Sequence, residues 1–310
     1  MKRIESVNII GLGALGLLFG KEIMDRCGVG AVTYTMDAAR YEKYRGQTFT
    51  CNDEAVPLQM VKAEEASVAD LVIVAVKYTE LEAAIQTMRN CVGPDTIIIS
   101  VLNGISSEEI LAQAYGADKI IYTVAQGMDA MKFGNALRYT RQGQLHIGMT
   151  HQAKEENFLA LKEFFDRAGV PYIAEEDILY RMWSKFMLNV GVNQTCMVYD
   201  TNYAGTLREG EPNRTMISAM REVIALANAE GIALSEKDLN QYMDIIKTLK
   251  PEGTPSMGQD RINRKPSEVE LFAGTVIRMA KPHGLYVPTN EFLYKRVQEI
   301  EQEYQVNTDN

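Results

Sequence analysis

Cysteine and histidine are scarce in this chain of 310 residues, with four of the first and three of the second. Cys27, Cys51, Cys91 and Cys196 stand far apart, and no C-x-x-C pair occurs. That spacing excludes the usual zinc knuckle or redox dithiol. With His146, His151 and His283 scattered as well, no built-in metal site is expected. The thiols fit a reducing compartment. Basic charge is also short, at 32 Lys and Arg against 41 Asp and Glu, for a net charge of −9. Without a basic stripe, neither nucleic acid nor an anionic membrane surface is an expected partner. Long apolar runs are missing too. Lys2 and Arg3 ahead of the apolar stretch 7–20 imitate a signal peptide, but Gly11, Gly13, Gly16 and Gly20 interrupt it. Lys21, Glu22 and Asp25 follow where a cleavage site would be, and the stretch is too short to span a bilayer. A cytoplasmic protein is the expectation.

What is present is ordinary globular material, 46% hydrophobic and 24% charged. The length suggests two domains. In the first half, short apolar runs alternate with helical spacing. Strands are expected at 7–10, 31–35, 71–76, 96–102 and 120–124, and helices at 14–26, 38–45 and 79–90. The continuous β-branched runs read as strands buried on both faces, and the alternation reads as βαβ units with a mainly parallel sheet. Residues 133–149 read as extended antiparallel segments, and 170–173 as a last strand. From 177 onward the pattern is helical: 178–197, 211–230, 236–247, 266–283 and 289–304. The expected architecture is an α/β Rossmann-type domain over 1–175 and an all-α domain over 176–310, with the active site in the cleft between them.

Gly11-Leu12-Gly13-Ala14-Leu15-Gly16 matches G-x-G-x-x-G directly after the first strand and at the opening of a helix. In that context the pattern indicates a dinucleotide site. The first glycine permits the turn, the second lets backbone approach the pyrophosphate, and the third lets helix and strand pack closely. Free N–H groups at the helix start then face the phosphates. Asp37 holds the position, at the end of the second strand, that ordinarily reads the adenosine ribose. A carboxylate there accepts from the ribose hydroxyls and repels a 2′-phosphate, which favours NAD(H). Helix capping by Asp37 is the plain alternative, and Arg40, one turn on, is an alternative seat for a 2′-phosphate. Lys77 and Asn103-Gly104 follow the third and fourth expected strands at their carboxyl ends, the ligand edge of an open α/β sheet. Either they contact cofactor or substrate, or they are strand-end and turn residues.

The segment Trp183-Ser184-Lys185-Phe186-Met187-Leu188-Asn189-Val190-Gly191-Val192-Asn193 places Lys185, Asn189 and Asn193 on one helix face. Asparagine is a poor residue for a helix interior, and two below a lysine in an apolar segment contradict local propensity, as functional sites tend to. A buried polar seam would explain the same pattern. A second cluster is Ser256-Met257, Asp260 and Ser267-Glu268-Val269-Glu270. Here Ser267 is expected as an N-cap, with Glu268 in the first turn near the positive end of the helix.

Together, in this order and spacing, these segments resemble the ketopantoate reductase (2-dehydropantoate 2-reductase) family over essentially the whole chain. The resemblance extends to Gly274 and to the late Val287-Pro288-Thr289-Asn290. It implies reduction of the keto group of 2-dehydropantoate to (R)-pantoate, a step of pantothenate and coenzyme A synthesis. It implies that Lys185 is the general acid for the developing alkoxide. Glu268 is implied to bind the substrate hydroxyl and orient the lysine. Asn189, Asn193 and Ser256 are implied to bind substrate, and Lys77 and Asn103 to line the cofactor and substrate site. NADP(H) is the cofactor the resemblance implies. The family, however, commonly has arginine where Asp37 stands, so NAD(H) is expected as the alternative. Ser267 replaces a more usual threonine.

Relatives in the same family act on other 2-keto acids as D-2-hydroxyacid dehydrogenases, some with NADH, and Asp37 raises that alternative. A non-catalytic dinucleotide sensor is a third reading, opposed by the intact Lys185, Asn189, Asn193 and Glu268. The expected partner is a small 2-keto acid. The helical half offers surface for a homodimer, which nothing in the sequence requires.

Overall fold

The computed structural model describes residues 2–306. The chain divides into two compact units. One comprises the chain up to Asn103 together with Ser107–Ile178; the other comprises Gly104–Ser106 and the chain from Leu179 onward.

The strands of the first unit are β1 (Val7–Ile10), β2 (Val32–Met36), β3 (Phe49–Cys51), β4 (Glu54–Val56), β5 (Met60–Lys62), β6 (Leu71–Val74), β7 (Ile97–Ser100), β8 (Tyr122–Gln126), β9 (Met131–Phe133), β10 (Ala136–Arg138), β11 (Gln144–Gly148) and β12 (Tyr172–Ala174). Its α-helices are α1 (Ala14–Cys27), α2 (Ala38–Tyr44), α3 (Leu81–Thr87), α4 (Ser107–Tyr115) and α5 (Glu155–Ala168). A parallel sheet runs in the order β5-β2-β1-β6-β7. Strand order reverses at β1, with β2 on one side and β6 on the other, which marks the ligand crevice at the carboxyl ends of these strands.

The β-branched runs are divided by the pleat into two cores. Ile9, Ile73 and Ile99 lie in register across β1, β6 and β7. They pack in one cluster with Leu17, Leu18 and Ile23 of α1 and Leu161, Phe164 and Phe165 of α5. The intervening Ile10, Val72, Val74 and Ile98 pack on the other face with Leu81, Ala84, Met88 and Leu111. Period-two alternation with both sets apolar is the signature of a sheet covered by helices on each side. Beyond β7, a parallel bridge Ile98↔Ile120 leads to β8, which pairs antiparallel with β11, itself parallel to β12. A small separate sheet has the order β4-β3-β10-β9.

The second unit contains α6 (Ile178–Tyr199), α7 (Tyr203–Leu207), α8 (Glu211–Ala229), α9 (Glu236–Thr248), α10 (Ser256–Ile262), a π-helical turn at Glu270–Gly274, α11 (Thr275–Ala280) and α12 (Pro288–Val306). Residues 190–197 of α6 are all buried, as expected for a helix with neighbours on every side. Gly191 makes one of those approaches possible, because a Cβ there would lie 2.5 Å from Met220 Cγ of α8. On α8 the buried set Met216, Ala219, Met220, Val223, Leu226 and Ala227 follows helical spacing.

The sequence expectations need correction at several places, and helices α4, α5, α7 and α10 were not anticipated. Strands β3, β4 and β5 were not anticipated, since each is three residues long and lacks an apolar run. The helix expected over 79–90 is confined to α3, with 3₁₀ turns at Tyr78–Glu80 and Arg89–Cys91. The helix expected from 266 starts later. Ser267 Oγ accepts from Val269 N at 3.3 Å, and Ser267 N donates to Glu301 Oε1 of α12 at 2.8 Å. The Glu268 carbonyl is the first to take helical bonds, from Leu271 N at 3.0 Å and Phe272 N at 3.2 Å. Ser267 thus ties a turn to α12 rather than capping a helix, and Glu268 stands ahead of the first turn rather than within it.

Among the described residues no helix is long and apolar enough to cross a membrane. Nor, among them, is any group of three or more His, Cys, Asp or Glu placed to hold a metal ion.

Candidate active site

The glycine loop joins β1 to α1 with a separate task for each glycine. Gly11 has φ +111°, and a Cβ there would come within 2.4 Å of the Ala75 carbonyl oxygen on the neighbouring strand connection. A Cβ on Gly16 would meet the Gly11 carbonyl oxygen at 2.1 Å. These two positions are closed by the protein's own backbone. Gly13 is different. It has an ordinary φ of −82°, and its nearest neighbour would be Ala75 O at 3.6 Å. A side chain there would fill open space in front of the helix rather than collide with protein. Gly13 is the N-cap of α1, no side chain caps the helix, and the first turn carries no acidic residue. Leu12, Ala14 and Leu15 around it are half-buried. The arrangement suits a pyrophosphate: unblocked N–H groups at a positive helix end, with room for backbone-to-phosphate approach.

Asp37 directly follows β2 and caps α2, with its Oδ1 accepting from Arg40 N at 2.8 Å. Its second oxygen lies 3.5 Å from Arg40 Nη1. Arg40 Nη2 in turn donates to Glu80 Oε1, across 40 residues of chain. Arg40 therefore sits between two carboxylates. Lys77 is exposed at the start of the 3₁₀ turn that carries Glu80, and Asn103 is half-buried just past β7. The carboxyl edge of the sheet thus gathers Gly11–Gly16, Asp37, Arg40, Lys77 and Asn103, as the sequence spacing anticipated. Glu80 was missed, because no local signal connects it to a partner so distant in sequence.

In the helical unit, Asn193 is buried and links two elements. Its Oδ1 accepts from Ser256 Oγ at 2.8 Å and from Met257 N at 3.4 Å, while its Nδ2 donates to Asn189 Oδ1 at 3.3 Å. The contacts join α6 to the first residues of α10. Asn189 and Lys185 are half-buried, one and two turns back respectively on the same face of α6, and Ser256 is exposed. The surface so formed offers an ammonium and two amides along one face of α6, with a hydroxyl added from the start of α10. Glu268, half-buried, precedes the π-turn. Cys196, on the same helix, is buried, and burial pushes its thiol up to about 12, so no thiolate chemistry is available beside the asparagines.

Gln194 was missed by the sequence reading, although it shares with Asn189 and Asn193 the anomaly of an amide in an apolar helix. It is fully buried and joins three elements. Its Nε2 donates to Val190 O at 2.8 Å and to Asn290 Oδ1 at 3.4 Å, and its Oε1 accepts from Ala273 N at 3.2 Å. Asn290 is fixed in turn by Glu222 of α8, whose carboxylate accepts Thr289 N at 2.7 Å, Asn290 N at 2.9 Å and Asn290 Nδ2 at 2.7 Å. That is the physical content of the Val287-Pro288-Thr289-Asn290 segment: a helix start closed by a carboxylate from another helix.

Comparison with known proteins agrees with this layout. The family model described as ketopantoate reductase PanE/ApbA matches residues 7–152, and its C-terminal companion matches 177–301. A 2-dehydropantoate 2-reductase of Streptococcus pyogenes serotype M3 is 25% identical over 287 residues, which cover 91% of this chain and 93% of that one. Among solved structures, the dimeric ketopantoate reductase of Staphylococcus aureus superposes with a TM-score of 0.79 at 23% identity, covering 96% of this chain and 99% of that one. A D-mandelate dehydrogenase in complex with NADH gives a TM-score of 0.84 at 21% identity, with 96% and 99% covered. With both halves matched in order by models of one family, and the glycine cradle and asparagine-bearing helix in the places that order requires, this chain belongs to the ketopantoate reductase family.

Proposed function

We propose that the protein is a 2-dehydropantoate 2-reductase that prefers NADH. The observation that carries the reading is the hydrogen-bonded line from Asn189 and Asn193, on the face of α6 that also bears Lys185, to Ser256 at the start of α10. Such a line is suited to hold a small polar acid while an ammonium faces the reacting oxygen. When bound, the reduced nicotinamide supplies the hydride that converts the 2-keto carbon into an alcohol. The residues of the chain do the remainder. Lys185 donates a proton to the carbonyl oxygen as negative charge develops on it, and its own charge stabilises that oxygen beforehand. Asn189, Asn193 and Ser256 orient the substrate through hydrogen bonds. Glu268 accepts from the substrate hydroxyl and helps set the lysine. Gly11, Leu12, Gly13, Ala14, Leu15 and Gly16 hold the pyrophosphate, and Lys77 and Asn103 line the site near cofactor and substrate.

The preference for NADH rests on Asp37. A carboxylate at the ribose position accepts from the 2′- and 3′-hydroxyls and repels a 2′-phosphate. The enzyme is placed in the cytoplasm, a reading supported by four free thiols. A homodimer is the assembly proposed, supported by the dimeric staphylococcal relative.

A second reading is a D-2-hydroxyacid dehydrogenase on the same scaffold, favoured by Asp37 and by the likeness to an NADH-bound D-mandelate dehydrogenase. One assay separates them: loss of reduced-nicotinamide absorbance with ketopantoate, run with NADH and with NADPH. Turnover of ketopantoate, faster with NADH, is expected. Silence with ketopantoate but turnover of other branched or aromatic 2-keto acids would give the protein to the second reading.

A further inference from the structure

We propose that Glu80 is a cofactor-specificity residue, which excludes a 2′-phosphate by holding the Arg40 guanidinium against a second carboxylate. The inference rests on the dinucleotide reading above and adds to it a residue from a different part of the chain.

Arg40 is the cation of the first turn of α2 and, judged by position alone, the natural seat for a 2′-phosphate. Its guanidinium is already engaged at both ends, by Asp37 Oδ2 at 3.5 Å from Nη1 and by Glu80 Oε1 on Nη2. One cation between two carboxylates leaves the cluster net negative. A phosphate entering there would have to displace one carboxylate and sit beside the other. A ribose diol, which only donates to such a cluster, meets no such conflict.

Glu80 has no competing local duty. It is the residue before α3, a position where acidic side chains often cap, yet it makes no capping hydrogen bond. Its carboxylate reaches instead to α2, far away in sequence. The three side chains are each between 42% and 45% exposed. Pairs this exposed contribute little to folding stability. The cluster is therefore poorly explained as a structural tie, whereas its sign and its place beside the ribose position explain it as a filter.

The test is equilibrium binding to the full-length protein, by calorimetry, of NADH, NADPH and adenosine 2′,5′-bisphosphate, the last of which carries no reacting group. In Glu80→Gln, the NADPH-to-NADH dissociation-constant ratio is expected to fall about tenfold, with bisphosphate binding strengthened in parallel. Adding Arg40→Leu to Glu80→Gln is expected to return the ratio to the parental value, because the gain comes from the released guanidinium. A ratio unmoved by Glu80→Gln, or a shift that survives Arg40→Leu, overturns the proposal while leaving dinucleotide binding intact. Failure of the parent to bind either dinucleotide overturns the cofactor reading and this inference together.

Discussion

Gln194 Oε1 accepts the backbone N–H of Ala273 at 3.2 Å, across 79 residues of chain. In an α-helix that N–H would donate to the Val269 carbonyl. Here Val269 O takes Gly274 N at 3.0 Å, one residue further on, and the turn widens to π geometry. The amide from α6 satisfies the group that the wider turn leaves without an intrahelical partner. Short π-turns of this kind are frequent at functional sites, and this one begins two residues after Glu268.

Gln194→Leu is expected to destabilise the fold by about 2 kcal/mol or more, because it leaves the Ala273 N–H buried and unpaired and removes a donor from Asn290. Urea unfolding measures it. A loss below about 0.5 kcal/mol would mean that the turn relaxes to α geometry without the amide.

Gly13→Ala separates binding from folding in the glycine loop. Since the new methyl meets only Ala75 O at 3.6 Å, stability is expected to change by less than about 1 kcal/mol, whereas NADH affinity falls by roughly tenfold or more. Gly11→Ala should do the reverse of the first effect and unfold the domain readily, given φ +111° and a contact of 2.4 Å. Thermal melts beside NADH titrations check the pair. Equal loss of stability in both variants would contradict the assignment of Gly13 to the ligand.

Lys185→Ala is expected to lower the turnover number by roughly 10²- to 10⁴-fold while the dinucleotide dissociation constant stays near the parental value. Lys185→Arg should fail to restore turnover, because a guanidinium keeps its charge but does not release its proton at working pH. Full turnover in the arginine variant would reduce Lys185 to an electrostatic role.

Glu108 supplies a pH dependence of stability. It is fully buried behind Ser107, whose hydroxyl donates to Oε2 at 2.8 Å, while Oε1 has no hydrogen-bond partner. Burial raises its pKa from 4.5 to about 7. Between those values the folded chain holds a proton that the unfolded chain has released, so stability falls as pH rises, by about 1.4 kcal/mol per unit. Glu108→Gln keeps the acceptor for Ser107 and loses the titration. Its stability advantage over the parent should be smallest near pH 4.5 and grow until about pH 7, reaching on the order of 3 kcal/mol. Urea melts across that range would show a constant difference if Glu108 is already neutralised by another means.

The parallel strands were legible because Leu71–Val74 and Ile97–Ser100 are buried on both faces and so carry unbroken apolar runs. The edge strand β5 was not, since the half-buried Met60-Val61-Lys62 has neither alternation nor length. The line from Asn189 to Ser256 was legible in part. Helical spacing aligns the residues of α6, but the contact of Asn193 with Ser256 spans 63 residues and is set by packing. The late helix start near Glu268 was misread because Pro-Ser-Glu carries the local chemistry of a cap. Glu301 of α12 takes the Ser267 N–H instead, a tertiary contact overriding a local preference.

Asp37 closes the start of α2 through its Oδ1 and stands at the end of β2, where the adenosine ribose is proposed to lie. One side chain with two duties restricts the order in which substitutions accumulate over generations. Replacement by arginine in a single step removes the cap and costs the helix about 1 kcal/mol before any gain in phosphate binding is realised. Asparagine, serine or threonine keeps the cap and removes the charge. A lineage drifting from one dinucleotide to the other is therefore expected to pass through a small polar residue at position 37, and ancestral intermediates should be indifferent between the two cofactors rather than switched.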